Sequence, residues 1–251
     1  FKYVYQNIKK DVHLSSISGG TDIVSCFVLG NIYQPVYMGE IQNKGLALNV
    51  DILNDKGKSI KNSKGELVCK NPFPTMPLKF WNDKNDNKFK DAYFNRFPNT
   101  WHHGDFAEIK TTRGFVIHGR SDTTLNPGGV RLGTAEIYSE VEKFKEIKES
   151  IVVGQSWDND VRIVLFIVMN AKFFLTEDLL KKIKIQIRKN ASPRHVPSKV
   201  IVVRDIPRTK SGKIVELAVK NTIEGNNIKN KEALANPKAL EQFKNLKELS
   251  I

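Results

Sequence analysis

Four short stretches of the sequence combine glycine with side chains that bind anions, hydroxyl groups or cations. A glycine turn exposes backbone N–H groups, and a hydroxyl or carboxylate beside them suits a phosphate and its Mg²⁺. Each stretch taken alone is also typical of an ordinary surface turn. The stretches are residues 18–22 (SGGTD), 104–105 (GD), 119–131 (GRSDTTLNPGGVR) and 207–213 (PRTKSGK).

The charged side chains in these stretches fit the parts of a nucleotide. Asp105 follows a glycine at the expected start of a strand, where a carboxylate can accept hydrogen bonds from both hydroxyls of a ribose. Arg120 and Arg131 flank a glycine loop, and guanidinium groups fit phosphate oxygens and ribose edges. Lys213 ends a basic loop that Gly212 loosens, and it opens a helix, where a cation opposes the helix dipole.

The four stretches lie in two regions that differ in their predicted secondary structure, with a boundary expected at 120–123. Residues 1–120 alternate β-rich runs with turns such as 55–58 and 63–65, whereas helical and strand patterns alternate after about residue 119. The pattern predicts strands at 23–29, 36–41, 47–53, 66–69, 106–109, 115–118, 150–153, 162–168 and 199–203, and helices beginning at Thr134, Thr176 and Ile214.

Composition excludes several classes of protein. The 251 residues are 40% hydrophobic, which is globular, and no uncharged apolar run is long enough to span a membrane. Cys26 and Cys69 stand far apart, and no secretory leader is visible, so a reducing cytosolic location fits. His102 and His103 are adjacent on an expected strand and therefore point to opposite faces, which argues against a metal pair. The net charge of +13 favours anionic partners.

Taken together and in this order, the stretches resemble motifs of the adenylate-forming acyl-CoA synthetase superfamily. Within it they are most similar to the branch that activates acetoacetate; the branch that activates acetate shares the GRxD and GTAEI elements. The stretches that carry the resemblance are 94–108 (FNRFPNTWHHGDFAE), 125–138 (LNPGGVRLGTAEIY), 192–197 (SPRHVP) and 207–219 (PRTKSGKIVELAV).

The resemblance implies an α/β fold in two parts and an ATP-dependent ligation. Residues 1–121 would be the β-rich C-terminal part of a large AMP-binding domain, and 122–251 a small mixed α/β lid domain. Acetoacetate would react with Mg-ATP to give an acyl-adenylate and diphosphate, after which the lid rotates and coenzyme A displaces AMP. The phosphate loop and most of the acyl pocket would lie upstream, in a missing N-terminal portion of the same enzyme, so we expect this chain alone to be inactive.

The resemblance also assigns roles to individual residues. The nucleotide site would contain Gly19, Gly20, Thr21, Asp22, Asp105, Arg120 and Arg131, with Thr21 at the α-phosphate. Asp22 stands where relatives carry a Mg²⁺-associated Glu, one methylene longer. Asp122 would be the hinge of the lid and Lys213 the adenylation lysine. Gly128 and Gly129 would line the pantetheine tunnel of CoA, where a side chain would obstruct, and Arg188, after the second lid helix, would approach the CoA nucleotide.

Three alternatives stay open at this point. The acid could be acetate or another short-chain acid, because the acyl pocket is largely absent from these residues. A basic nucleic-acid-binding module would instead carry clustered charge interleaved with aromatics, here Phe80, Trp81, Phe94, Phe97 and Trp101. A non-catalytic fragment is the third. On the favoured hypothesis neither nucleic acid nor a membrane is a partner.

Overall fold

The computed structural model describes residues 1–228 and 231–250. The chain divides into two units, Phe1–Ser121 and Asp122–Ile251. Both units combine helices with β-sheets, so the predicted α/β class is confirmed. In the first unit the helices are α1 (Lys2–Asn7) and α2 (Asn87–Tyr93). Its strands are β1 (Ser18–Gly20), β2 (Ser25–Leu29), β3 (Asn43–Lys44), β4 (Val50–Leu53), β5 (Gly65–Cys69), β6 (Trp101–Ile109) and β7 (Phe115–Arg120).

The first unit contains two antiparallel sheets, in the orders β1-β2-β3 and β4-β5-β6-β7. Five of the six predicted strands are present, although β6 begins earlier than expected, at Trp101. The strand predicted at 36–41 is wrong: only an isolated bridge between Ile41 and Phe115 forms there. The short strand β1 was not predicted, since Ser-Gly-Gly carries no β-propensity and is held by its pairing with β2.

An aromatic core lies beneath β6. Trp101 is 2% exposed, stacks face to face on Tyr93 at 3.7 Å and meets Phe27 and Phe73 edge-on. This core does not suit a nucleic-acid module, whose aromatics must face the ligand. Of the aromatics named for that alternative, Trp101 and Phe97 are buried, Phe80 and Phe94 pack against the core, and Trp81 alone is largely exposed.

The second unit packs helices on both faces of one sheet. Its helices are α3 (Thr134–Val141), α4 (Glu177–Asn190) and α5 (Glu216–Ile223), and its strands are β8 (Ile147–Trp157), β9 (Asp160–Met169) and β10 (Lys199–Val202). The order is β10-β9-β8, with β10 parallel and β8 antiparallel to β9. Side chains of β9 alternate between two cores: Ile163, Leu165 and Ile167 face α3 and α4, whereas Val164, Phe166 and Val168 face α5 and the C-terminal turns.

The predicted elements of the second unit exist, with changes at their ends. The helix predicted to begin at Thr176 is α4, and Thr176 is its N-cap: its hydroxyl accepts a hydrogen bond from the Leu179 amide at 3.2 Å. The strands β8 and β9 are longer than predicted, since a two-residue turn at Asp158 and Asn159, both with positive φ, continues their pairing to the hairpin end. The last helix begins at Glu216 rather than Ile214. Among the described residues no helix combines the length and the apolarity needed to cross a bilayer.

A buried carboxylate joins α3 to α4. Glu140 is 7% exposed and accepts hydrogen bonds from Gln186 and Asn190 of α4, each at 2.9 Å, and from Lys143 at 2.6 Å. These hydrogen bonds hold the pKa of Glu140 below its ordinary value against the opposing effect of burial. The contact therefore fixes the angle between the two helices that cover one face of the sheet.

We expect Glu140→Ala to lower the free energy of unfolding by about 2–3 kcal/mol, because it removes the buried charged acceptor of Gln186, Asn190 and Lys143. Urea unfolding followed by circular dichroism measures the change. The exposed neighbour Glu142 provides the control, since Glu142→Ala removes a charge from the same helix end without a contact to α4. Equal stability of the two variants would contradict the assigned role of Glu140.

Candidate active site

The carboxylate of Asp105 is held by a charged contact across two strands. Asp105 on β6 and Arg120 on β7 are register partners, and Arg120 Nη1 lies 3.0 Å from Asp105 Oδ1 and 3.1 Å from the carbonyl oxygen of His103. Asp105 is 7% exposed, whereas the Arg120 side chain is half exposed. Gly104 makes this possible: a Cβ there would lie 2.6 Å from Arg120 Nη2, so a side chain would expel the guanidinium.

The predicted glycine turn packs against the same carboxylate. Ser18 Oγ points at Asp105 Oδ2 at 3.5 Å, and the His103 ring hydrogen-bonds to the Gly19 backbone. Gly20 faces His103 closely, since a Cβ at Gly20 would lie 2.8 Å from the ring carbon Cε1. The first unit thus brings together the turn, Asp105 and Arg120, which are far apart in sequence.

His103 is a functional candidate that the sequence reasoning missed. Its Nε2 lies 3.7 Å from Asp105 Oδ2, and its Nδ1 is 3.4 Å from Trp101 Nε1. Burial lowers the pKa of His103 below its ordinary value, and the Asp105 charge only partly opposes this, so the ring is neutral near pH 7. The sequence pattern that could have identified His103 is the strand period of two, which places Trp101, His103 and Asp105 on one face of β6.

His102 points to the other face, as predicted. It hydrogen-bonds to the fully buried Glu66 at 2.8 Å, and Glu66 also pairs with Arg96 at 3.0 Å and accepts a short hydrogen bond from Ser121. The two histidines therefore have separate partners. This Glu66 cluster fixes the last residue of the first unit, directly before Asp122.

Asp22 is held by a tyrosine. Tyr93, at the end of α2, donates a short hydrogen bond to Asp22 Oδ2 and stacks on Trp101. Burial raises the pKa of the Tyr93 hydroxyl, and the Asp22 charge raises it further, so the tyrosine stays a donor. Thr21 and Asp22 lie in the exposed turn after β1. Tyr93 lay just outside the motif quoted for this region, and spacing alone gave no reason to choose it.

The residues around Asp22 suit a Mg²⁺ ion that is bound together with nucleotide phosphates, not one that is held by protein side chains alone. Among the described residues no group of three His, Cys, Asp or Glu side chains is placed to hold a metal by itself. Mg²⁺ is commonly bound through one or two carboxylates together with substrate phosphates, and Asp22 can supply one carboxylate beside a phosphate-binding turn. The donor set therefore fits a metal that arrives with its nucleotide.

The Gly128–Gly129 loop is fixed by the β8–β9 hairpin. The Gly128 amide donates to both carboxylate oxygens of Asp160 at 2.9 Å, and both glycines have positive φ, +58° and +74°. The left-handed backbone conformation by itself accounts for glycine at both positions, whether or not the two residues line the pantetheine tunnel of CoA. A Cβ on Gly128 would lie in ordinary contact, 3.5 Å, with the Arg194 guanidinium, and one on Gly129 would meet nothing within 4 Å. Arg131, half-buried, follows this loop.

Asp122 lies at the boundary between the two units as expected, whereas Arg188 lies within α4 and not after it. Asp122 lies in an exposed 3-10 turn, Ser121–Thr123, at the first residue of the second unit. Arg188 does not follow the helix as expected but lies in the last turn of α4, because hydrophobic contacts continue to Ile187 and α4 ends at Asn190. Its side chain is on the exposed face, where a cation suits the helix C-terminus.

The lysine loop is a bonded turn rather than a loose one. The Thr209 amide donates to the Lys213 carbonyl at 2.8 Å, and the Lys213 amide donates to Thr209 Oγ1 at 3.1 Å. Arg208 donates to the Gly212 carbonyl at 2.9 Å and pairs with Glu149 of β8 at 3.1 Å. The sequence expectation that Gly212 loosens the loop is therefore wrong: with φ of +83° it closes the turn. Lys213 itself is exposed and precedes α5.

Glu216, the first residue of α5, forms a partly buried contact with α3. Tyr138 donates its hydroxyl to Glu216 at 3.0 Å and accepts from the Val152 amide at 3.1 Å. Burial raises the pKa of the Glu216 carboxyl and the nearby Asp122 charge raises it further, against the hydrogen bonds it accepts. Burial also raises the pKa of Tyr138. This pair attaches the start of α5, three residues after Lys213, to α3.

Comparisons with known proteins agree on one family. Residues 136–213 match the family model of the AMP-binding enzyme C-terminal domain. The chain is 61% identical over 249 residues to an acetoacetyl-coenzyme A synthetase of Rhizobium meliloti, covering 99% of this chain and 38% of that protein. It is 47% identical to an acetoacetyl-CoA synthetase of Xenopus tropicalis, covering 99% of this chain and 37% of that protein. The chain thus spans little more than a third of the length of these relatives.

Solved structures show the same fold. The acetoacetyl-CoA synthetase from Streptomyces lividans superimposes with a TM-score of 0.86 at 40% identity, covering 91% of this chain and 35% of that one. A benzoate CoA ligase from Burkholderia xenovorans LB400 superimposes with a TM-score of 0.67 at 21% identity, covering 80% and 39%, which shows the fold alone.

The second unit therefore contains the C-terminal domain of AMP-binding enzymes, matched over residues 136–213. Over nearly its whole length the chain is similar to the C-terminal part of proteins named acetoacetyl-CoA synthetase. The resemblance carried by the four motifs is thereby confirmed.

The half-buried Glu216 predicts a pH-dependent stability of the second unit. Its folded pKa is raised, so the unfolded chain releases this proton at lower pH than the folded chain does. The carboxyl consequently favours folding least at high pH, and stability falls as pH rises from the ordinary Glu value through the raised one. Glu216→Gln imitates the protonated form and should be more stable than the unchanged chain at about pH 8, with the advantage shrinking toward about pH 4.

Thermal unfolding of the two proteins across this pH range tests the prediction. Glu248→Gln, at an exposed position, is the control and should follow the unchanged chain at every pH. An advantage of Glu216→Gln that is the same at both ends of the range, or that grows toward low pH, would contradict it.

Proposed function

We propose that the chain forms the C-terminal part of an AMP-forming ligase that joins acetoacetate to coenzyme A through an acyl-adenylate. The reaction is acetoacetate + ATP + CoA → acetoacetyl-CoA + AMP + diphosphate. The observation that carries the proposal is the buried Asp105 carboxylate, held by Arg120 at 3.0 Å against a glycine turn. The names of the relatives support acetoacetate as the acid. A cytosolic location belongs to the same proposal.

In the first half-reaction the carboxylate of the acid attacks the α-phosphate, and two anions approach each other. Asp105 accepts the ribose hydroxyls and Thr21 donates to the α-phosphate, which fixes the nucleotide. A lysine cation at about 4 Å offsets roughly 4 kcal/mol of this repulsion at an effective dielectric near 20, and Lys213 supplies it. Arg131 provides a further cation for phosphate. Asp22, held by Tyr93, is the carboxylate for Mg²⁺, which when bound neutralises phosphate charge.

In the second half-reaction the CoA thiol displaces AMP from the adenylate. The Gly128–Gly129 loop, fixed by Asp160, lines the path of the pantetheine, and Arg188 meets the CoA nucleotide. Asp122 is the hinge at which the second unit turns between the two steps. The bonded turn around Lys213 supports withdrawal of the lysine as part of a rigid body, because its internal hydrogen bonds need not break.

A fusion tests the proposed reaction. Residues 1–251 are joined to the part of the Rhizobium meliloti relative that precedes its matched region, and acetoacetate-dependent AMP formation is measured beside acetate-dependent formation. We expect turnover with acetoacetate of about 1 s⁻¹ or more, an ordinary enzyme rate, and slower turnover with acetate. No turnover, while the unfused relative is active, would contradict the ligase; a preference for acetate would contradict the substrate.

In this fusion, Lys213→Ala should lower the rate of adenylate formation by roughly 100- to 1,000-fold, as loss of one preorganised charge does elsewhere. Thioester formation from supplied acyl-adenylate should be largely retained, because the lysine serves only the first step. Exchange between diphosphate and ATP measures the first step. Lys210→Ala, at an exposed lysine of the same loop, is the matched control. Exchange by Lys213→Ala within tenfold of the control would remove Lys213 from the mechanism.

The hinge predicts a different pattern for Asp122→Pro. Proline fixes φ near −65°, so a hinge residue that must change its dihedral angles is locked in one orientation. We expect adenylation near that of the unchanged fusion and thioester formation at least tenfold slower.

Thr111→Pro is the control, because Thr111 is the second residue of an exposed turn closed by the Arg113 amide and the Lys110 carbonyl, a position that accepts proline. Equal loss of both half-reactions in Asp122→Pro would indicate a folding defect and contradict the hinge.

A further inference from the structure

The lysine loop is bordered by a segment near the C-terminal end that the family model does not include. The matched domain ends at residue 213, whereas residues 233–236 run beside the loop. The Lys210 amide donates to the Ala233 carbonyl at 3.1 Å, and the Ala235 amide donates to the Arg208 carbonyl at 2.8 Å. Thr209 and Leu234 form the bridge between these two bonds. The loop is therefore paired along its outer side.

Asn236 makes three hydrogen bonds at the base of the loop. Its Oδ1 accepts from the Arg208 amide at 2.8 Å, and its Nδ2 donates to Asp205 Oδ2 at 2.7 Å and to the Ile206 carbonyl at 2.9 Å. One side-chain amide thus satisfies three groups within four consecutive loop residues. A side chain with both a donor and an acceptor is needed, which Asn provides.

The segment that carries Asn236 is itself anchored in the core. Leu240 and Phe243 are 3% and 0% exposed, and the Phe243 ring meets Phe166 of β9 edge-on at 4.9 Å. Gln242 adds a second attachment: its Oε1 accepts from the Arg204 amide and its Nε2 donates to the Asp205 carbonyl, both at 2.7 Å. The segment cannot shift without uncovering buried rings, so it provides a fixed support.

From these contacts we propose that Asn236 is a positioning residue for Lys213, and that residues 233–249 are a brace for the lysine loop. This inference rests on the proposed role of Lys213 in adenylation. Asn236 fixes Arg208 at the base of the turn, and the bonds between Thr209 and Lys213 transmit that position to the lysine. The brace acts on the first half-reaction only, because only that step uses the lysine.

The first test uses the 251-residue chain and measures amide hydrogen exchange. In Asn236→Ala we expect the Thr209 and Lys210 amides, neither of which bonds to Asn236 directly, to exchange about tenfold faster or more. Glu241→Ala is the matched control, since the Glu241 side chain lies in the brace and, within the described part of the chain, pairs only with Lys244; it should leave both amides unchanged. Unchanged exchange in Asn236→Ala would overturn the proposal.

The second test measures both half-reactions in the fusion, with Lys213→Ala run alongside. Asn236→Ala should lower the adenylation rate about tenfold, without a change in KM for ATP, and leave thioester formation from supplied adenylate within about twofold. Asn236→Gln keeps both the donor and the acceptor on a longer side chain, so it should give an intermediate rate and serves if the alanine variant does not fold.

The results separate this proposal from the function on which it rests. Faster exchange with normal adenylation, while Lys213→Ala is inactive, overturns the brace and leaves the ligase intact. Equal loss of both half-reactions also overturns it, because a general folding defect then explains the effect. Normal adenylation by Lys213→Ala overturns the role of the lysine and with it the proposal.

Discussion

The first unit depends on the placement of one buried carboxylate. A carboxylate removed from water is costly unless it is paired and hydrogen-bonded, and Asp105 meets this condition through Arg120 on the neighbouring strand. Because the two residues are register partners, the pair also fixes how β6 and β7 align. The neighbouring requirements follow from it: glycine at 104 to admit the guanidinium, a neutral His103 beside the carboxylate, and a glycine turn that can approach the histidine ring.

In the second unit, polar contacts to a packed sheet hold the candidate functional loops in place. Its sheet is covered on both faces, which gives a rigid body, and polar contacts attach the functional loops to it. Asp160 holds the glycine loop, while Arg208 and Glu216 hold the two ends of the lysine turn. Catalytic groups on preformed loops lose less conformational freedom when the reaction begins, which is the advantage of preorganisation. These contacts thus hold the loops in fixed positions on the second unit.

The residues of the candidate site could be identified from the sequence, because they occur in short motifs. The helix start at Thr176 and the apolar run of β9 likewise follow local rules. Most of the supporting residues could not be predicted. Tyr93 and Asn236 bond to partners 71 and 28 residues away, for which no local pattern exists. For His103 the strand period of two on β6 was a local signal, but its contact with the Gly19 backbone, 84 residues away, was not predictable. The same limit explains the wrong strand at 36–41 and the wrong expectation for Gly212, since pairing and loop hydrogen bonds depend on distant segments.

The central claim is that Asp105, as Arg120 and His103 position it, binds the ribose of the nucleotide. A crystal structure of the fusion protein with AMP tests it most directly. The account predicts both ribose hydroxyls within about 3 Å of the Asp105 carboxylate oxygens, the ordinary hydrogen-bond distance, with the α-phosphate at Thr21. AMP bound elsewhere, or bound with its ribose hydroxyls held by other groups while Asp105 stays covered by Arg120, would contradict it.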